Sequence, residues 1–247
     1  MSTDDKASMG MNRTGIGTSP IESKKTIEGA EQGAREAPPG SSRSLQETRR
    51  EATSDADPIG TVPIPTSVKG ALSTLSELVR GHAPAVFLDK LGERLAFERT
   101  GTRLYDALLA KHDGEKDHDP AGPARADLER FRADEHAHYR LLRDVIEELG
   151  ADPTAVTPAA DVIGVASMGL LQVVTDPRTT LAQALSALLT AELTDNDGWQ
   201  GLADLARALG KDDLASRFLV ARDAEAIHLA GVRRWVKPEP VQKAKAA

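Results

Sequence analysis

The chain of 247 residues contains no cysteine. That absence excludes disulfides, zinc ribbons, cysteine-ligated iron–sulfur clusters and thiol nucleophiles. Aromatic residues make up only 3% of the chain, no basic stripe interleaves with them, and the formal net charge is −7. A surface that tracks phosphates needs the opposite charge balance, so nucleic acid is not an expected partner. No apolar run approaches the roughly 20 residues of a bilayer-spanning helix. The N-terminus, MSTDDKASMGMNRTG, lacks the apolar centre of an export signal. The expectation is a soluble, cytoplasmic protein with no membrane partner.

Large apolar side chains are also scarce over residues 1–66, which are rich in Ser, Thr, Gly, Glu, Arg and Asp. Such a segment cannot bury enough surface to offset its ordering entropy, and a disordered tail ending in a Pro-rich linker is expected. A short amphipathic brace helix is expected over 67–84, with Leu72, Leu75 and Val79 on one side. Beyond it the apolar residues recur at helical spacing and no strand pattern competes. The periodicity predicts four helices, over 85–112, 123–149, 178–209 and 211–236, the second opening at Pro123 and ending at Gly150. The segment KHDGEKDHDPAG and the turn at Gly210 are short enough to make antiparallel hairpins. A long stretch with Pro153, Pro158 and the small apolar segment DVIGVASMGLLQVV separates the two hairpins. The expected fold class is all-α: two helix hairpins joined by a long crossover, a four-helix bundle over 85–237, with a disordered tail at 238–247.

Each of the four helices interrupts its own apolar stripe with charge. Glu98 falls between Leu95 and Thr102, Glu135 and His138 between Phe131 and Leu142, Glu192 between Leu188 and Trp199, and Glu225 and His228 between Ala221 and Val232. Residues three apart share a helical face, so each Glu-x-x-His pair converges on one point. Isolated carboxylates in an apolar core repel one another and lose hydration worth several kcal/mol each, a cost that divalent cations remove. Four carboxylates and two imidazoles match the ligand set of a paired-metal site in a bundle. Oxygen and nitrogen donors without sulfur suit iron or manganese, so two such ions are the expected cofactor. A third Glu-x-x-His, Glu115 with His118, lies in a loop without a stripe. With six histidines in the chain, about one Glu in forty meets a His at that spacing by chance. Two pairs that both interrupt apolar stripes are a different matter. The remaining histidines, His82, His112, His118 and His136, lie off the stripes or in loops and are expected to be solvated.

The order Glu98, Glu135–His138, Glu192, Glu225–His228 resembles that of the ferritin-like superfamily of di-iron and di-manganese carboxylate proteins, which includes rubrerythrins, bacterioferritins and manganese catalases. The resemblance covers residues 85–236. It implies that Glu135 and Glu192, or a similar pair, bridge two metals and that each histidine caps one. It also implies a non-haem dinuclear oxidoreductase that activates oxygen or hydrogen peroxide as an oxidase, peroxidase or ferroxidase. Manganese catalase shares the ligand set, and an iron-binding cargo or stress protein without turnover is the rival from another class, with the N-terminal tail as a docking segment. A homodimer stays open. The tail KPEPVQKAKAA stands where bacterioferritin-like cages have a fifth helix, which argues against a storage cage. Without cysteine there is no rubredoxin-type iron, so electrons would come from a separate donor protein or from the substrate.

Two further residues, Asp195 and Asp134, take their expectations from resemblance, and a third, Tyr105, from its place on the face of Glu98. Asp195 lies three after Glu192, where rubrerythrin-like sites place an extra glutamate; it is either a ligand or a solvated residue of the polar TDND segment. Tyr105, two turns beyond Glu98, either contacts a ligand, serves electron transfer, or is an ordinary core tyrosine. Asp134 directly precedes Glu135, as in larger di-iron oxygenases, and is expected to accept a hydrogen bond from His228. Ala224 occupies the matching place in the other half, so His138 has to find a different partner. Trp199 and Trp235 are expected to plug the core above the site.

Overall fold

The computed structural model describes residues 24–25, 27–29, 31–32, 42–63, 84–115 and 120–236. Every regular element among them is an α-helix. Residues 24–25, 27–29 and 31–32 are helical, and the longer helices are α1 (Ser42–Asp55), α2 (Pro84–Gly114), α3 (Arg125–Glu148), α4 (Pro158–Thr175), α5 (Leu181–Ala208) and α6 (Asp212–Val236). The chain divides into two units, Met1–Asp57 and Pro58–Ala247. The brace helix expected over 67–84 and the C-terminal tail lie, except for Pro84, outside the described residues, as does His118.

In the first unit, α1 forms where disorder was expected. Its sequence, SRSLQETRREATSD, is rich in good helix formers but offers Leu45 as its one large apolar residue, itself 52% exposed. Local propensity makes the helix, and its composition leaves it nothing to bury.

In the second unit, α2 packs on α3, α4 and α5, while α5 packs on α6. The core consists of two separate apolar clusters. One joins Phe87, Leu91 and Leu95 of early α2 to Leu142 and Val145 of late α3, and Trp199 and Leu202 of late α5 to Phe218 and Ala221 of early α6. The other joins Leu104, Tyr105 and Leu108 to Leu128 and Phe131, and Leu185 and Leu188 to Val232 and Trp235. Early α2 therefore meets late α3, and late α5 meets early α6, so both hairpins are antiparallel. Helices α3 and α5 end by the same device. Gly150 (φ 82°) and Gly210 (φ 66°) adopt the left-handed conformation, and the next amides, Ala151 N and Lys211 N, donate back to Ile146 O and Ala206 O.

Helix boundaries shift from expectation by up to three residues, the most at α5, which starts at Leu181 rather than at 178 because Thr180 caps it. Helix α3 starts at Arg125 rather than at Pro123, because Ala124 is extended (φ −75°, ψ 142°). The segment between the hairpins, expected only as a small apolar stretch, is a full helix, α4. Thr157 caps it by accepting from Ala160 N, and Pro158 opens it. Its apolar residues lie nearly all round, so they give no helical stripe, and β-branched residues and glycines lower its propensity. Packing supplies what propensity does not. Ala159 N donates to Asp89 Oδ1 at 2.9 Å at one end of α2, and Lys111 Nζ donates to Asp176 O and Thr179 O at 2.8 Å at the other. Helix α4 thus runs alongside α2. By length and composition alone its 18 residues are apolar enough to cross a membrane, against the sequence expectation; in the structure it lies against α2 and α5, burying Ala160, Ser167 and Val174.

Candidate metal centre

A layer of charge separates the two apolar clusters. On α2 Glu98 falls between Leu95 and Leu104, and on α3 Glu135 and His138 fall between Phe131 and Leu142. On α5 Glu192 and Asp195 fall between Ala191 and Trp199, and on α6 Glu225 and His228 fall between Ala221 and Val232. None is more than 8% exposed. The helical periodicity that builds the core also carries these residues into it.

Their donor atoms converge. Glu135, Glu192, Glu225 and His228 offer one atom each within 4.8 Å of one another; so do Glu98, His138 and Glu225, and so do Glu98, Glu135, Asp195 and Glu225. Both histidines turn Nδ1 inward: that of His138 lies 2.6 Å from Glu225 Oε1, and that of His228 lies 3.0 Å from Glu225 Oε2 and 3.5 Å from Glu135 Oε1. Glu225 therefore stands between the two imidazoles and belongs to every group. Glu192 belongs to one only. Its Oε1 accepts the Tyr105 hydroxyl at 2.5 Å, which leaves Oε2 alone to face His228. Glu225, Glu135 and Glu98 are thus each shared between groups, whereas Glu192, held by the tyrosine, belongs to one.

The buried side-chain nitrogens and oxygens that make no well-formed hydrogen bond among the described residues all belong to this layer and its walls, several of them held only in close ion pairs. Both oxygens of Glu98 and Glu225, one oxygen each of Glu135, Glu192 and Asp195, and the inward nitrogens of His138 and His228 are among them. Natural cores leave few such atoms, since each costs about 1–3 kcal/mol or more when charged. Their collection at one point, in donors that bind hard and borderline cations, fits a metal site. These acidic and histidine groups can hold a metal ion.

The electrostatics fit the same conclusion. Burial pushes the Glu98, Glu135 and Glu192 carboxyls well above their ordinary range, and neighbouring carboxylates add to it: Asp195 and Glu135 for Glu98, and Glu225 for both Glu135 and Glu192. Burial also raises Asp195, against the pull of Arg94, to about 6. At Glu225 burial is outweighed by the two imidazoles, which bring it down to about 2. At His228 burial is outweighed by Glu135 and Glu225, which hold it up at about 11. Without metal the layer thus retains protons that a cation would displace.

The surroundings bear out the Asp134 expectation. His228 Nε2 lies 3.1 Å from Asp134 Oδ2, so the outward N–H can donate to the carboxylate while Nδ1 faces inward. His138 has no such partner among the described residues; Trp199 packs against it, ring centroids 5.5 Å apart, with its indole N–H unpartnered. Phe131 covers His228 at 4.2 Å and carries Trp235 at 5.6 Å behind it. Asp134→Asn is expected to weaken one of two bound ions by about 10–100-fold and spare the other. A calorimetric titration in which both ions keep their affinity would remove Asp134 from the site.

Sequence reasoning missed three positions. Arg94, 4% exposed, places Nη2 2.8 Å from Asp195 Oδ1 and 3.4 Å from Glu98 Oε1. It sits one turn before Glu98 on the same stripe, a signal as legible as the glutamate. Gly101 and Gly198 are the other two. A Cβ at 101 would come within 1.9 Å of Glu135 Oε2, and one at 198 within 1.9 Å of Arg94 Nη1. Mid-helix glycine costs about 1 kcal/mol relative to alanine, and here it makes room for site side chains. Gly101→Ala is accordingly expected to lower metal affinity instead of giving the usual gain in helix stability; a more stable variant with normal metal content would contradict this. One expected solvated residue is not solvated: His112 is 8% exposed near the end of α2, beside Asp113, whereas His136 is exposed and stacks on Tyr139.

No protein-family model matches the chain, and neither a curated protein nor a solved structure matches it.

Proposed function

We propose that this chain is a ferritin-like four-helix-bundle protein whose charged layer holds two iron or manganese ions, and that it acts as an oxidoreductase on oxygen or hydrogen peroxide. The observation that carries the reading is the set of carboxylate oxygens and imidazole nitrogens that lack well-formed hydrogen bonds and converge between two apolar clusters. One ion would lie among Glu135, Glu192, Glu225 and His228, the other among Glu98, His138 and Glu225, with Glu135 reaching the second through the group it shares with Glu98. Bound iron or manganese supplies the change of valence that oxygen and peroxide chemistry needs.

The protein's own part is to prepare the ligands and enclose them. Asp134 holds the His228 ring so that Nδ1 faces the layer, and the Tyr105 hydroxyl fixes Glu192. Enclosure favours a small oxidant over an organic substrate. Cavities of about 120 and 180 Å³ open beside Gly92 and Leu95, and no residue of the layer lines either. Electrons would come from a separate donor protein or from peroxide itself.

Elemental analysis after native purification is expected to give about two transition-metal ions per chain. Anaerobic loading with ferrous iron, followed by oxygen or peroxide, is expected to give fast oxidation over repeated cycles. Slow oxidation that stops after one equivalent per site would favour an iron-binding protein without turnover. A native chain with no bound transition metal would overturn both readings.

A further inference from the structure

The layer contains a cation of its own. Arg94 is buried with its guanidinium against Asp195 and Glu98, its Cζ lies 4.5 Å from the centre of the Phe97 ring, and Nη1 occupies the space that Gly198 leaves by lacking a Cβ. Asp195 stands with Glu98, Glu135 and Glu225 in a group made only of carboxylates, one oxygen of each within 4.8 Å of the others. Oxygen-only groups of that kind suit hard divalent cations. Arg94 Nη2 lies 2.8 Å from Asp195 Oδ1, so the guanidinium competes with any ion for that carboxylate.

From this geometry we infer that Arg94 is a positioning residue: it claims Asp195 as its counter-ion, keeps that carboxylate out of the metal pair, and so limits the layer to two divalent cations. The inference rests on the two-ion reading above. Charge balance points the same way. Five carboxylates line the layer, Glu98, Glu135, Glu192, Asp195 and Glu225; one guanidinium and two divalent cations balance them with both imidazoles neutral. Removing the guanidinium leaves one negative charge in excess, facing an all-oxygen group. Removing Asp195 instead leaves the guanidinium in excess beside the cations.

The two changes therefore act with opposite sign, which structural damage would not do. Titration of the metal-free chain with Mn²⁺ alone, followed by calorimetry and by metal analysis after gel filtration, reads both. Arg94→Met is expected to take up a third Mn²⁺ per chain or to bind the weaker of two ions at least tenfold more tightly. Asp195→Asn is expected to weaken that ion at least tenfold. The double variant removes both charges and is expected to return to two ions with affinities within about threefold of the parent. If Arg94→Met fails to fold, Asp195→Asn and the double variant decide: weakening in the single variant that the double variant reverses upholds the inference, and weakening that persists in the double variant, or unchanged or tighter binding in Asp195→Asn, overturns it. Weakened binding in both single variants, or unchanged capacity and affinity in a folded Arg94→Met, also overturns it. A parent chain that binds fewer than two Mn²⁺ would instead count against the two-ion reading itself.

Discussion

Glu225→Ala is expected to lose both metals at once, the largest effect of any single substitution in the layer. Glu225 belongs to each convergent group, and its two oxygens lie 2.6 and 3.0 Å from the inward nitrogens of His138 and His228. Its removal leaves Glu98 and His138 as one half and Glu135, Glu192 and His228 as the other, with no single residue that faces both imidazoles. Loss of a residue that only supports a ligand costs about 10–100-fold in affinity, so loss of a shared ligand is expected to exceed 100-fold for each ion. Glu192→Ala, which touches one group, is expected to lose one ion, and the Glu98→Ala/Glu192→Ala double variant both. Metal content after desalting checks the series. Retention of two ions by the Glu225 variant would show that the layer is not the binding site.

The metal-free and metal-loaded proteins are expected to respond to pH in opposite directions. In the metal-free chain Glu98, Glu135, Glu192 and Asp195 have raised pKa values, so the folded state holds protons that the unfolded chain has released. Stability then falls as pH rises above about 4. Glu225, lowered to about 2, contributes stability that is complete above its ordinary value of 4.5 and is lost only toward pH 2. His228, raised to about 11, contributes stability that is complete below 6.5 and fades as pH climbs from there. From pH 5 to 8 no one of these groups offsets the decline. Asp195 alone, moved from 3.8 to about 6, corresponds to about 3 kcal/mol in all, of which roughly half falls above pH 5, about 5 °C in melting temperature. Metal needs ionised carboxylates and neutral imidazoles, so the loaded protein gains stability over the same range. Two melting curves that cross between pH 5 and 8 are the expected result. A metal-free protein whose melting temperature is flat or rises over that range would contradict the electrostatics described for the layer.

The parts of this structure that follow a period were legible in the sequence. The four helices around the layer, the glycines that end two of them, and the glutamates and histidines that break their stripes could all be placed by counting in steps of three and four. The Asp134–His228 contact came from a resemblance, not from the period, and the structure contains it. What the sequence hid was set by three-dimensional neighbours. Helix α4 has no polar face to reveal its period, and anchoring by Asp89 and Lys111 gives it its place. Glu192 looked equivalent to Glu225 until Tyr105, on another helix, took one of its oxygens. Gly101 and Gly198 read as weak points in helices; their use depends on side chains arriving from α3 and α2. Arg94 was readable, but arginine is so often solvated that its place on the stripe went unweighted.

The division of the core by a polar layer also locks the helices against sliding. A purely apolar bundle tolerates a shift of one helix by a turn, about 5.4 Å, because one leucine can replace another in the same hole. Here that shift would drive a carboxylate of the slipped helix among Phe131 and Trp235 on one side or Trp199 and Phe218 on the other. An unpaired charge buried there costs several kcal/mol, a large part of the net stability of a domain of this size. The same seven acidic and histidine side chains that can bind metal therefore act as the axial key of the bundle, selecting one alignment of α2, α3, α5 and α6 before any ion arrives.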